Sequence, residues 1–154
     1  MYEKILVALD GSALAEEVLP HVAGIATRTD SEVILLRVAA PVRPTAVDVV
    51  AVMPVDTEQE MKRIADECLS YLEGAADRLR SAGLKVKTAV QFGDPAEQIV
   101  DFARDNGVGL IAMSTHGRSG ISRWVYGSVA DRVLRAATVP ILLIRSKRED
   151  EDLK

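Results

Sequence analysis

The chain has one cysteine, Cys68, and only two histidines, His21 and His116. A lone thiol excludes a disulfide framework, and its place among apolar residues at helical spacing reads as core. Two distant histidines and one cysteine form no metal-ligand cluster. Apolar runs are short: those at 33–36 and 49–53 fall far below the roughly 18 residues that suggest a membrane span. The first ten residues pass straight into a strand-like run, without the basic segment, long apolar stretch and small-residue cleavage site of a secretory leader. The expectation is a soluble, cytoplasmic protein. Positive charge is not in excess. The formal net charge of -4 supplies no broad field for phosphate backbones, which argues against non-specific nucleic-acid binding and requires any anionic ligand to find a local site. Three signatures are missing: G-x-x-x-x-G-K-[ST] of the P-loop, G-x-G-x-x-G after the first strand, and G-x-S-x-G of hydrolases.

What is present suits a globular domain. The chain has 154 residues, 48% of them hydrophobic and 27% charged, enough for one core and too apolar for disorder. One domain is expected over 1–146, followed by a charged, frayed tail at 147–154. Residues 4–10 form an apolar run without alternation, as a parallel strand covered on both faces does. Asp10-Gly11-Ser12 supplies turn and N-cap chemistry before a helical stretch through Leu14, Val18, Val22 and Ile25, within which Pro20 is a misfit and a possible kink. A second strand covers 32–39. Pro41, Pro44 and Pro54 then bracket a long loop, and residues 57–82 keep helical spacing up to a stop at Gly83. A third strand at 85–91 alternates as an edge strand does. Asp94-Pro95-Ala96-Glu97 has the residue types of an N-cap, a first-turn proline and a capping box. A fourth strand at 110–113, a last helix from Gly127-Ser128 and a fifth strand at 140–144 complete the pattern.

Alternating strands and helices imply right-handed crossovers, hence an α/β fold: an open, five-stranded parallel sheet with helices on both faces, Rossmann-like. Ligands of such sheets collect beyond the carboxyl ends of the strands, where strand order reverses. An order of 3-2-1-4-5 would bring Asp10, at the end of the first strand, beside residues leaving the fourth. Residues 114–128 then join that strand to a helix. Glycines let backbone amides approach an oxyanion, and Gly127-Ser128 places unsatisfied amides and a hydroxyl at a helix N-terminus. Charge-assisted hydrogen bonds of about 1.5–3 kcal/mol each, with about 0.3–1 kcal/mol from the helix dipole, suffice together to hold a triphosphate. The plainer alternative is that these glycines only permit a long crossover.

The spacing of Gly117, nine further residues and Gly127-Ser128, with the strand at 4–10, resembles the ATP-binding branch of the universal stress protein family over nearly the whole chain. The family's motif, G-x2-G-x9-G-[S/T], maps onto Ser114, Gly117, Gly127 and Ser128, with serine replacing the first glycine. If that position needs positive φ, Ser114 weakens binding; if its backbone is extended, the change is harmless and the hydroxyl is an added donor. The resemblance implies that Ala8, Asp10 and Val38 flank adenosine and that Met113 and Val129 flank the phosphate loop. It also implies ATP, with magnesium carried on the phosphates, and a homodimer formed through the last strand.

Several residues keep two readings. Asp10 serves equally as a turn cap or a ligand contact, and Val38 as core. His116 shapes the loop or touches phosphate, while His21 lies on a helix surface or packs in place. Arg118 and Arg123 are solvated or screen phosphate; Trp124 and Tyr126 anchor the loop or close over the site. No residue stands out as a general base, so catalytic residues are not assigned. The functional expectation is an ATP-binding, nucleotide-responsive switch or interaction module in stress response. Slow ATP hydrolysis or phosphoryl transfer, and a nucleotide-independent dimeric interaction protein, are the alternatives.

Overall fold

The computed structural model describes residues 1–42, 56–115 and 127–146. Its elements in chain order are strand β1 (Lys4–Ala8), a 3-10 turn (Ala15–Val18), helix α1 (Leu19–Thr29), β2 (Glu32–Ala39), α2 (Thr57–Ser81), β3 (Lys85–Phe92), α3 (Pro95–Asp105), β4 (Leu110–Thr115), α4 (Ser128–Ala136) and β5 (Ile141–Arg145).

The five strands form one sheet in the order β3-β2-β1-β4-β5, and every pairing is parallel. β1 is central, with Ile5 set against both Val33 and Leu110. Its unbroken apolar run follows from helices on both sides. Strand β3 lies at one edge, where its lysines remain solvated.

Side chains alternate across the sheet, so each strand feeds two cores. Ile5, Val7, Val33 and Leu35 pack with Val22 of α1 and with Leu72, Ala75 and Ala76 of α2. Cys68 is buried on α2, as its spacing predicted. On the other face Leu6, Ile34, Leu36 and Ile111 meet Ala96, Ile99 and Ala103 of α3 and Ala130 and Val133 of α4. Among the described residues no helix is long and apolar enough to cross a membrane.

Three local expectations change. The segment after β1 is a 3-10 turn followed by α1, rather than one helix, and Pro20 sits in the first turn of α1. A missing N–H costs nothing there, so proline opens the helix instead of kinking it. β4 runs on to Thr115, making Ser114 and Thr115 strand residues rather than the start of the loop. β5 begins at Ile141 and includes Arg145. The loop bracketed by prolines falls largely outside the described residues, as do the tail at 147–154 and the side chains of His116, Arg118, Arg123, Trp124 and Tyr126.

Candidate functional site

All five strands point their carboxyl ends to one edge, and the site is built there from four connections. After β1 the chain turns at Asp10. Its Oδ1 accepts hydrogen bonds from the Ser12 backbone N–H at 2.9 Å and from Ser12 Oγ at 2.6 Å. Ser12 Oγ in turn accepts from the Ala15 N–H at 3.1 Å. This is the turn-capping role anticipated for Asp10, and it fixes the carboxylate at the rim. Gly11, at φ +91°, holds a backbone conformation that a side chain would strain; a Cβ there would also stand 3.0 Å from the Arg37 guanidinium, which can shift aside.

Arg37 lies near the end of β2 and stacks on Tyr71 of α2, 5.1 Å from the ring centroid. The Tyr71 hydroxyl is buried beside Glu16 and, among the described residues, makes no close hydrogen bond. Burial first, and then the negative charge of Glu16, push its ionisation up to about 12. Glu16 is itself paired with Arg78 of α2.

At the end of β4, Ser114 pairs in register with Ile144, and its Oγ donates to the Ala15 carbonyl at 3.2 Å. Among the described residues Asp30 is the one non-glycine at positive φ. Serine is therefore accommodated at the first motif position without backbone strain. The hydroxyl, anticipated as a donor for phosphate, is directed to Ala15 instead.

The fourth connection enters α4. Gly127 is its N-cap, at φ +82° and ψ +151°, in a region of backbone space essentially reserved for glycine. Among the described residues nothing lies within 4 Å of where its Cβ would stand, so the requirement they show is one of backbone rather than room. The Asp131 N–H donates to the Gly127 carbonyl at 3.0 Å and closes the first helical turn. The preceding amides, of Ser128, Val129 and Ala130, have no acceptor inside the helix and carry the positive end of its dipole.

The N-termini of α3 and α4 are clipped together. Asp94 Oδ1 accepts from the Glu97 N–H at 3.1 Å, the expected cap, while its other oxygen meets Arg132 of α4 at 2.7 Å. The Arg132 guanidinium first, and then the Glu97 amide, hold the Asp94 carboxyl below the usual aspartate range.

Between these elements lies a cleft of about 320 Å³. Ala8, Leu36, Val38, Ile99 and Met113 give it an apolar floor, and Asp10, Ser114, Thr115, Gly127 and Ser128 a polar end. Of the nine residues singled out in the sequence, eight line this one cleft: Ala8, Asp10, Val38, Met113, Ser114, Gly127, Ser128 and Val129. The ninth, Gly117, lies outside the described residues. Sequence reasoning did not place Leu14, Ala15, Pro95 or Ile99 at the site, though they also line it. A signal for Pro95 was available, because the β3–α3 junction must open onto the same carboxyl edge. Nothing comparable marked Leu14 and Ala15, whose placement depends on the 3-10 turn.

A doubly wound parallel sheet with a cleft where strand order reverses defines an α/β ligand-binding fold. The model of the universal stress protein family matches residues 1–145, and the chain belongs to that family. It is 32% identical to universal stress protein MJ0577 of Methanocaldococcus jannaschii, over 96% of this chain and 97% of that one. The solved structure of MJ0577 superposes with a TM-score of 0.77, covering 96% of this chain and 98% of the other. Universal stress protein YxiE of Bacillus subtilis is 30% identical over 94% of this chain and its own full length. A universal stress protein from Archaeoglobus fulgidus, solved in complex with dAMP, shares the fold at 24% identity and a TM-score of 0.59, over 93% of this chain and 98% of that one.

Proposed function

We propose that the cleft binds ATP and that the protein acts as a nucleotide-responsive switch or interaction module in stress response. The observation that carries this reading is the start of α4. A glycine-only backbone at Gly127 opens α4, and Ser128, Val129 and Ala130, whose amides have no acceptor within the helix, line the cleft. Backbone donors at a helix N-terminus suit phosphate oxygens. The floor of Ala8, Val38 and Met113 suits a flat, largely apolar base. The cleft volume of about 320 Å³ falls within the roughly 300–1,000 Å³ of small-molecule sites. The dAMP complex of the Archaeoglobus fulgidus protein adds support for an adenine nucleotide as ligand.

The residues therefore fit the nucleotide, and each has a task. Val38 and Ala8 exclude water from the base, Asp10 stands at the rim for a sugar hydroxyl, and the α4 amides, joined by Gly117, hold phosphate. Magnesium would arrive on the nucleotide, held mainly by phosphate oxygens and water. Binding changes the surface offered to a partner protein. The cytoplasm is the compartment where such a nucleotide is abundant.

The same reading includes a homodimer through β5. That strand pairs with β4 alone among the described strands, and Ile141, Leu142, Leu143 and Ile144 are all incompletely buried. An apolar edge of this kind is stabilised by pairing with a second copy.

Identification of the small molecule released when freshly purified protein is denatured, together with calorimetric titration with ATP, tests the reading. Released adenine nucleotide and saturable binding are expected. A protein that emerges empty and gives no heat with ATP ends it. Sedimentation as a dimer at micromolar concentration is the corresponding expectation for β5.

A further inference from the structure

The motif position where glycine gives way to serine is also where the two walls of the cleft are joined. A continuous hydrogen-bonded chain runs from one to the other. The Asp10 carboxylate accepts from Ser12 Oγ at 2.6 Å, Ser12 Oγ accepts from the Ala15 N–H at 3.1 Å, and the Ala15 carbonyl accepts from Ser114 Oγ at 3.2 Å. Asp10, Leu14 and Ala15 line one side of the cleft, while Ser114 and Thr115 line the side that leads toward α4. The same 3-10 turn is fastened a second time, because Ser146 Oγ donates to Glu17 Oε1 at 3.1 Å and the Ser146 N–H donates to the Thr115 carbonyl at 3.1 Å.

We infer that Ser114 is a positioning residue: through Ala15 and Ser12 it braces the Asp10 wall against the phosphate wall, setting the distance over which one ligand must reach both. The inference rests on the nucleotide reading of the cleft. A glycine at position 114 has no side chain with which to form the brace, so this chain joins its walls by a bond that the motif glycine cannot supply.

A brace has a signature different from a direct ligand contact. A ligand that spans both walls is two fragments held together, and its affinity exceeds the fragments' by an effective concentration set by how well the walls are held. Loosening the walls lowers that factor while each fragment keeps its own contacts. A hydroxyl that touched phosphate directly would instead weaken the phosphate fragment by itself.

The experiment measures binding of ATP, adenosine and inorganic tripolyphosphate to the wild type and to S114A, S114G and S114T, each in the presence of magnesium. S114A and S114G should bind ATP about three- to tenfold more weakly, as expected for loss of one neutral hydrogen bond. Adenosine and tripolyphosphate should each change by less than about twofold, and S114T, which keeps the hydroxyl, should restore most of the ATP affinity. Amide hydrogen exchange over residues 12–18 should rise in S114A and S114G in the absence of any ligand, which reports the brace independently of binding. Unchanged exchange, unchanged ATP affinity, or a loss for tripolyphosphate equal to that for ATP overturns the inference while leaving the nucleotide reading intact. A wild type that binds none of the three probes overturns both.

Discussion

The two faces of the sheet receive the same alternating side chains and end differently. On the face of α1 and α2, seventeen of the described residues form a buried cluster; on the face of α3 and α4 there are eleven. Helix length accounts for the contrast. α2 has 25 residues and spans about 37 Å, more than the roughly 26 Å of an eight-residue strand. α3 and α4 have 11 and 9 residues, about 16 and 14 Å, and cover less of the sheet. Adjacent residues on β2 register the consequence. Arg37 is stoppered by Tyr71, whereas Val38, pointing the other way, opens onto the cleft. The cleft opens where α3 and α4 begin, at the carboxyl edge of the face with the smaller buried cluster.

The largest test of that contrast is paired truncation of the two cores. L72A, in the fully buried cluster, should cost about 2–5 kcal/mol in urea unfolding. I99A should cost less, because the space it leaves opens onto the cleft rather than forming a sealed void, and its main effect should fall on nucleotide affinity. Equal costs would show that the second face is as closed as the first. Next in size, G127A must force a non-glycine residue into φ +82°, at about 1–3 kcal/mol of strain. Relief of that strain by moving the α4 amides would appear as loss of ATP affinity, while the α1 and α2 face stays unperturbed by near-ultraviolet dichroism.

A smaller effect is expected from D94A, which removes both the cap of α3 and its clip to Arg132. D94N keeps a capping oxygen and should lose less. Because the folded-state pKa of Asp94 is depressed, this contribution is present above the ordinary aspartate range and disappears as pH falls through the folded value. An acid unfolding curve that D94N leaves unmoved would refute it. Smallest is Y71F on the opposite face, which deletes a hydroxyl that makes no close hydrogen bond among the described residues and should leave stability nearly unchanged. In the wild type the tyrosine remains neutral while an unfolded chain would ionise near pH 10; any stability it contributes is lost between there and about 12. Y71F should therefore remove the late step of the phenolate absorbance titration.

The helices on both faces were legible because unbroken apolar strands alternating with helices imply right-handed crossovers and a covered parallel sheet, and the strand order followed from placing Asp10 beside the end of the fourth strand. The cap at Asp94 was legible from its residue types. Eight of the nine site residues meet in one cleft because the rule that ligands sit beyond strand ends needs only topology. The 3-10 turn was not legible. Leu14, Val18 and Val22 match helical spacing, and only the packing of Ala15 and Val18 under the sheet shows that the segment is wound more tightly before α1 begins. Nor did sequence show what the Ser114 hydroxyl bonds to, since its partner, the Ala15 carbonyl, is 99 positions away in the chain.

Because all five strands run the same way, the two ends of the described chain leave the molecule at opposite poles. Residue 1 precedes β1 at the pole away from the cleft, while Ser146 follows β5 at the rim, stitched to Thr115 and Glu17. A fluorophore or affinity tag appended ahead of Met1 would stand clear of bound ligand. One attached just beyond Ser146 would sit beside it, a convenient location for a reporter and a poor one for a purification handle.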